Sequence, residues 1–425
     1  MKTQLSSAFF SRSFIMLLFF LQGISGIAAP AFFQEGINIL EYKGEVVDSR
    51  NGNELTSAYL QVVGTNISTI TNSEGEFFLK VPSEHADASV SISHLGYQSV
   101  VLPAEYFREG PVKIELTEAA EVLTEVSVFS EEDPREVVRA MLESKRDNYA
   151  QSPAEMTAFY RETIKKGRRN VSLSEAVVNI HKKPYTSYAR DDISLIKARK
   201  SADYNRLDTL ALKLRGGPFN PLVLDIMKNP DYMFYQPDLL NYQFEFGAPA
   251  KINNRYLYVV NFEDMNRVRP WYFGKLYIDA ETKALVKAEF ALNVENRNAA
   301  SQMFVKKKPG GTKVYPVNVV YKAEYRNQDG KWYFGYGNTE MDFVINWKRK
   351  LFNSRYKVNS ELAITDWTME PALSTGEERF LKPDVVMADD VSGFADLNFW
   401  GANNIIEPDK TIENAIEKIQ KNLGD

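Results

Sequence analysis

Between residues 40 and 117 apolar and polar residues alternate in short runs, each stopped by a glycine or a small polar cluster. The runs fall at 43–48, 57–63, 66–71, 76–81, 88–95, 97–102 and 112–116. Seven short strands with turn signals between most neighbours predict an antiparallel β-sandwich. Asn51-Gly52 supplies the positive φ of a tight turn, and Ser73-Glu74-Gly75 closes the next hairpin so that Phe77 and Leu79 point inward. Val90, Ile92 and His94 share one strand face, so His94 is expected to be a packed, hydrogen-bonded histidine.

The period changes after this region. Leu123–Val128 reads as one more alternating strand. Asp133 then N-caps a helix with Pro134 at its first position, Val137, Val138, Met141 and Leu142 as its apolar stripe, and Ser152-Pro153 as its stop. From 155 to 400 the runs are longer, rich in Tyr, Phe, Val and Thr, and keep period two. Hairpins are expected across Lys166-Gly167, across Ala280–Lys283 between 273–279 and 284–290, and across Asn327–Gly330 between 317–326 and 331–337. Their polar alternate positions predict antiparallel strands with one wet face. Residues 203–246 read as short helices and loops. The chain closes in an amphipathic helix with Ile412, Ala415, Ile416, Ile419 and Leu423 on one face, which docks on the sheet.

The fold class is therefore mainly β (α+β): a sandwich over 40–117, a linker strand and helix over 118–154, a large curved antiparallel sheet with a few packing helices over 155–400, and a closing segment over 401–425. Residues 1–29 read as a signal peptide. Lys2 and Arg12 precede the apolar run Phe14–Leu21, and small residues follow at Ala28-Ala29-Pro30-Ala31.

The first region resembles the carboxypeptidase regulatory-like domain family, a transthyretin-like fold. The resemblance rests on Gly44-Glu-Val46-Val-Asp48, the Gly52 turn, Ala58, Gly64-Thr65, Thr71-Asn72 with Gly75 and Phe77, and Leu95-Gly96-Tyr97. It implies a non-catalytic accessory module of exported envelope proteins and of uptake receptors, although too little chain follows here for a receptor's plug and large barrel. Phe159-Tyr160-Arg161-Glu162, the 273–290 hairpin and Phe399-Trp400-Gly401…Glu407-Pro408 resemble a poorly characterised family of exported Bacteroidota proteins, a likeness that implies no activity. The 273–290 hairpin is also similar to the unclosed barrel of periplasmic lipoprotein carriers.

Charge and composition narrow the partners. A formal net charge of −5, more negative once Lys2 and Arg12 are removed, argues against nucleic acid. The basic runs at 165–169 and 306–311 both contain turn residues and read as solvated hairpin tips, with an anionic ligand or lipid headgroup as the alternative. The chain has no cysteine, which excludes a disulfide framework, thiol catalysis and a cysteine-linked lipid anchor. An exported chain of this length without disulfides fits a bacterial periplasm or outer-membrane association.

Catalytic patterns are missing. His85, His94 and His181 lack ligand spacing, and no nucleophile elbow, zinc helix or phosphate loop occurs. The acidic pairs Asp191-Asp192, Glu263-Asp264 and Asp389-Asp390 read as strand or loop neighbours facing opposite ways. No cofactor and no metal is expected. Arg161 is expected in an ion pair within the sheet, with a carboxylate or phosphate clamp as the alternative. Trp271 and Trp332, in Trp-Tyr-Phe trios, are the candidates for a sugar-stacking platform, against core packing.

The leading expectation is a non-catalytic envelope protein that binds or presents a protein or glycan-like partner through its β-domains. The alternative is a periplasmic carrier sheltering a lipid or apolar ligand in a concave sheet, and the third is a glycan or peptide hydrolase.

Overall fold

The computed structural model describes residues 38–119, 133–167, 169–202, 216–234, 239–252, 255–266, 270–304, 311–348, 353–369, 378–387, 399–414 and 416. The stretches read as a signal peptide (1–29), as a strand (Leu123–Val128) and as the end of the closing helix lie outside them, as do the basic run at 306–308 and Asp389-Asp390.

Seven strands form the N-terminal sandwich: Ile39–Asp48 (β1), Tyr59–Val62 (β2), Ser68–Ile70 (β3), Glu76–Pro82 (β4), Val90–Ser93 (β5), Val100–Leu102 (β6) and Val112–Leu116 (β7). One sheet has the order β4-β1-β7 and the other β3-β2-β5-β6. Alternate residues Val46, Leu60, Val62, Phe77, Leu79, Val81 and Ile92 are fully buried between them. One expectation is corrected. The sandwich is not wholly antiparallel, because β1 and β7 pair in parallel, Gly44 opposite Val112.

That pairing explains Gly44. A Cβ at this position would collide with the Val112 carbonyl oxygen. Gly44→Ala is therefore expected to cost about 1–3 kcal/mol through overpacking, read as a lower urea midpoint at an unchanged slope; a wild-type midpoint would contradict the close approach.

The second layer is an 11-stranded sheet. Its strands are Ala154–Lys166 (β8), Arg169–Lys182 (β9), Asp192–Ala202 (β10), Tyr242–Phe246 (β11), Ala250–Ile252 (β12), Arg255–Asp264 (β13), Tyr272–Asp279 (β14), Leu285–Leu292 (β15), Thr312–Gln328 (β16), Lys331–Trp347 (β17) and Ser354–Met369 (β18). The order is β10-β9-β8-β18-β17-β16-β15-β14-β13-β11, with β12 also on β13. All three expected hairpins form. The third is much longer than its turn signals indicate, because bulges at Pro316/Asn318 and Glu324/Tyr325 let β16 continue past Pro316.

The two faces of this sheet have different fates. The inner face carries Tyr160, Val178, Leu362, Phe343, Tyr321, Phe290 and Leu276. Over it pack helix Pro134–Glu143, capped by the Asp133 side chain and buried through Val137, Val138 and Met141, and the connection 216–234 with Leu222, Leu224, Ile226, Met227 and Phe234. The outer face is polar on β14–β16, whereas on β8, β9, β17 and β18 it carries apolar residues as well. There Ile70 of the sandwich meets Phe159, Val177, Tyr336 and Ala363 together with Trp400, Ile405 and Ile406 of the closing segment. The expected wet face is thus wet only in part.

Polar bonds align this seam. Asn66 Nδ2 donates to the Trp367 carbonyl (2.7 Å) and Thr69 Oγ1 to that of Ile405 (2.9 Å). The Asn404 side chain pairs with the Lys80 backbone like a strand residue, accepting from its N–H (2.7 Å) and donating to its carbonyl (3.1 Å). Asp409 caps the helical turn at 410–414, and Ile412 and Ile416 dock on Leu173 of the sheet.

Candidate functional site

Arg161 and Glu162 point to opposite faces of β8, as alternation requires. On the outer face Arg161 is 2% exposed and its donors are engaged. Nε bonds Glu175 Oε1 at 2.7 Å, Nη2 the Ile406 carbonyl at 2.7 Å and Nη1 the Glu407 carbonyl at 3.3 Å. Arg199 Nε holds the other Glu175 oxygen at 2.6 Å. Burial by itself would raise Glu175, but the two guanidiniums overcome it and hold the carboxyl below its ordinary range. Arg161 therefore clamps the chain's own closing segment.

On the inner face Glu162 is buried with one hydrogen-bond donor, the Tyr160 hydroxyl at 2.9 Å. Burial pushes its carboxyl up to about 7, with the tyrosine pulling the other way. Ser360, across the pairing on β18, comes within 3.5 Å of the same hydroxyl.

Trp271 and Trp332 are not brought together. Trp271 precedes Tyr272, which pairs with Leu292. Trp332 lies at the opposite end of the strands, bridged to Tyr149 and beneath Arg255, which itself binds Asp279. Trp332, Tyr333 and Phe334 are all buried, so this trio is core packing.

Asp191 and Asp192 separate as expected. Asp191 is buried and shares the Lys182 ammonium with Asp225 at 2.7 and 2.6 Å, whereas Asp192 meets half-buried Lys183 at 3.1 Å. Asp225 also accepts from the Tyr325 hydroxyl at 3.0 Å, so this cluster pins the 216–234 connection to the sheet. His181 contacts Ser194 Oγ (3.0 Å) and Glu378 Oε2 (2.8 Å) through one nitrogen, Nε2. A relay needs one partner on each ring nitrogen, so the trio lacks hydrolase geometry.

Open volume occurs on both faces. A polar cleft of about 240 Å³ runs along the seam beside Arg161, Lys165, Lys322, Asn338, Asn359 and Asp409. Much of its wall is already paired: Asn338 bonds Asn359 at 2.6 Å, and Asp409 holds Thr411, Ile412 and Ser73. A larger cavity, about 380 Å³, sits on the inner face. Val223 and Tyr232 of the connection and Met303 and Phe304 of helix Arg297–Phe304 cover it; Tyr321, Thr339, Met341 and Ser360 form its floor. Tyr321 stacks on Phe290 (4.8 Å between centroids) and meets Tyr272 and Tyr232 edge-on, which fixes the aromatic wall. This is the candidate site: apolar and aromatic side chains make up much of its wall, Asn220, Gln302, Thr339 and Ser360 add polar groups, and its size lies within the range of small-molecule pockets. Its residues were missed in the sequence because they come from six separated segments. The available signal was Thr339 and Ser360, polar residues at inward positions of long apolar strands.

His94 lies just past β5 rather than on it and bonds the Thr56 carbonyl through Nε2 at 3.2 Å. Among the described residues no helix is long and apolar enough to cross a membrane.

No curated protein matches the sequence. Among solved structures the chain is similar to a domain described as an outer membrane lipoprotein-sorting protein from Vibrio parahaemolyticus (11% identity, TM-score 0.26, covering 57% of this chain and 94% of that one). A LolA superfamily protein from Nitrosomonas europaea (11%, 0.20, covering 56% and 94%) and the MucA/MucB complex of Pseudomonas aeruginosa (11%, 0.17, covering 57% and 100%) are also similar. TM-scores this low do not establish a shared fold. Residues 42–128 match the family model described as CarboxypepD_reg-like domain, and the N-terminal sandwich is such a domain.

Proposed function

We propose that this chain is a non-catalytic binding protein of the bacterial envelope that shelters one apolar ligand, such as an acyl chain, against the inner face of its large sheet. The sandwich and the closing segment brace the other face. The observation that supports this reading is the inner cavity of about 380 Å³, walled by Val223, Tyr232, Phe304, Tyr321 and Met341 beside a continuous apolar core. The apolar side of the wall gains from excluding water, and Asn220, Gln302, Thr339 and Ser360 are placed to meet a polar end of the ligand. Export is read from the leader-like segment at 1–29. A protein or glycan-like partner is the second reading, favoured by the polar seam cleft; it ranks lower because much of that wall is occupied by the chain's own residues.

Val223→Trp tests the first reading. The indole projects from the half-buried cover into the cavity. A dansyl-labelled fatty acid is expected to bind the wild type saturably and the variant roughly tenfold more weakly or worse. Saturable binding that survives the substitution would place the ligand elsewhere.

A further inference from the structure

We propose that the seam between the sandwich and the large sheet holds a second site, for a small carboxylate, with Arg326 as its clamp. Arg326 lies on β16 just past the bulge and is 9% exposed. Its stem crosses Gly335 on β17, where a Cβ would collide with Nε. Its guanidinium lies over the Tyr59 ring of the sandwich, 3.2 Å from the centroid. Two of its nitrogens, Nε and Nη2, are buried without a hydrogen-bond partner.

Those two N–H groups share one edge of the planar guanidinium, the edge that grips both oxygens of a carboxylate. A buried cation without an anion is costly, and a tyrosine face restores only part of what water supplied. A cavity of about 160 Å³ adjoins the guanidinium, with Trp332, Arg255, Lys287 and Glu324 also on its wall. Arg255 has Asp279 at 3.1 Å, and Lys287 has Glu289 at 2.9 Å and Glu324 at 3.6 Å. Among the described residues of this wall, Arg326 makes no ion-pair contact; Glu324, the nearby carboxylate, lies against Lys287. Trp332 Nε1 is a further buried donor with no partner. The volume suits a carboxylate on a short carbon stub. The unpartnered Nε–Nη2 edge has the shape of a carboxylate.

The test is a titration of the full chain, labelled with ¹⁵N-arginine, with sodium propionate at ionic strength held constant by sodium chloride. The Arg326 Nε–H resonance, identified by its loss in Arg326→Lys, is expected to shift saturably with propionate and not with chloride. Arg326→Lys keeps the charge and removes the fork; Gly335→Ala crowds Nε. Each is expected to weaken propionate roughly tenfold or more. Val223→Trp, which fills the inner cavity, is expected to leave propionate unchanged, so this site and the apolar-ligand reading fail separately. No saturable shift in the wild type overturns the proposal whatever the variants do. So does saturation by phosphate with propionate silent, or undiminished propionate binding in a folded Arg326→Lys.

Discussion

Replacing Arg161 by methionine is expected to lower the unfolding free energy by about 3–5 kcal/mol, the usual loss when one partner of a buried ion pair is removed. Methionine fills similar volume, so little of the loss is cavity. The loss comes from what the guanidinium satisfies. Glu175 is fully buried and would keep only Arg199 as counterion. The carbonyls of Ile406 and Glu407 would lose their donor. Those carbonyls belong to the segment that carries Trp400, Ile405 and Ile406 into the seam, so the damage should reach beyond the site. Hydrogen exchange is expected to rise across 399–412 and along β3 before it rises in β14 or β15. An unfolding free energy within about 1 kcal/mol of wild type, with unchanged exchange, would mean that the Arg161 cluster does not hold the seam.

Replacing Glu162 by glutamine should flatten the dependence of stability on pH. The folded carboxyl is raised from 4.5 to about 7, chiefly by burial. A group whose folded pKa lies above its unfolded value binds its proton more tightly in the native state. Its contribution is therefore fully present below the unfolded value and is lost as pH rises through about 7. From the size of the shift, the wild type should lose about 2 kcal/mol of unfolding free energy between roughly pH 5 and pH 8 from this residue. Glutamine keeps a polar group beside the Tyr160 hydroxyl and cannot ionise, so Glu162→Gln should lack that component. Urea titrations at the two pH values check it. An equal pH slope in both proteins would show that Glu162 does not titrate in this window.

Much of the architecture was legible because two signals agree in it. Short alternating runs broken by Gly52 and Gly75, both at positive φ in the structure, mark the sandwich strands. Asp133-Pro134 and the stripe Val137, Val138 and Met141 likewise mark a capped helix. What failed to show was how distant elements meet. Period two predicts that Arg161 and Glu162 part company; it does not say that one face meets the closing segment and the other the core. The parallel pairing of β1 with β7 depends on a close backbone approach at Gly44, and a glycine in a strand is just as compatible with a bulge or a sharp bend. Trp332 illustrates the reverse case. An aromatic trio invites a ligand, yet all three rings are buried because both faces of the strand are covered there: Tyr333 packs on Trp367, Phe334 on Tyr325, and Trp332 lies beneath Arg255. The cavity was hidden for a further reason: its walls join β16–β18 to the 216–234 connection and to helix Arg297–Phe304, pairings with no local pattern. Arg326 gave no signal either, because an arginine beside a hairpin turn ordinarily points into water.

The inner cavity is the central claim, and ligand content tests it most directly. Protein purified from cells expressing the full chain can be extracted with organic solvent and the extract analysed by mass spectrometry against the Val223→Trp variant prepared in parallel. The expected result is an acyl-bearing molecule near one equivalent per wild-type chain, depleted in the variant. Equal recovery from the two proteins, or wild-type protein that carries no such molecule and takes up no dansyl-labelled fatty acid, would contradict a sheltering role for the cavity.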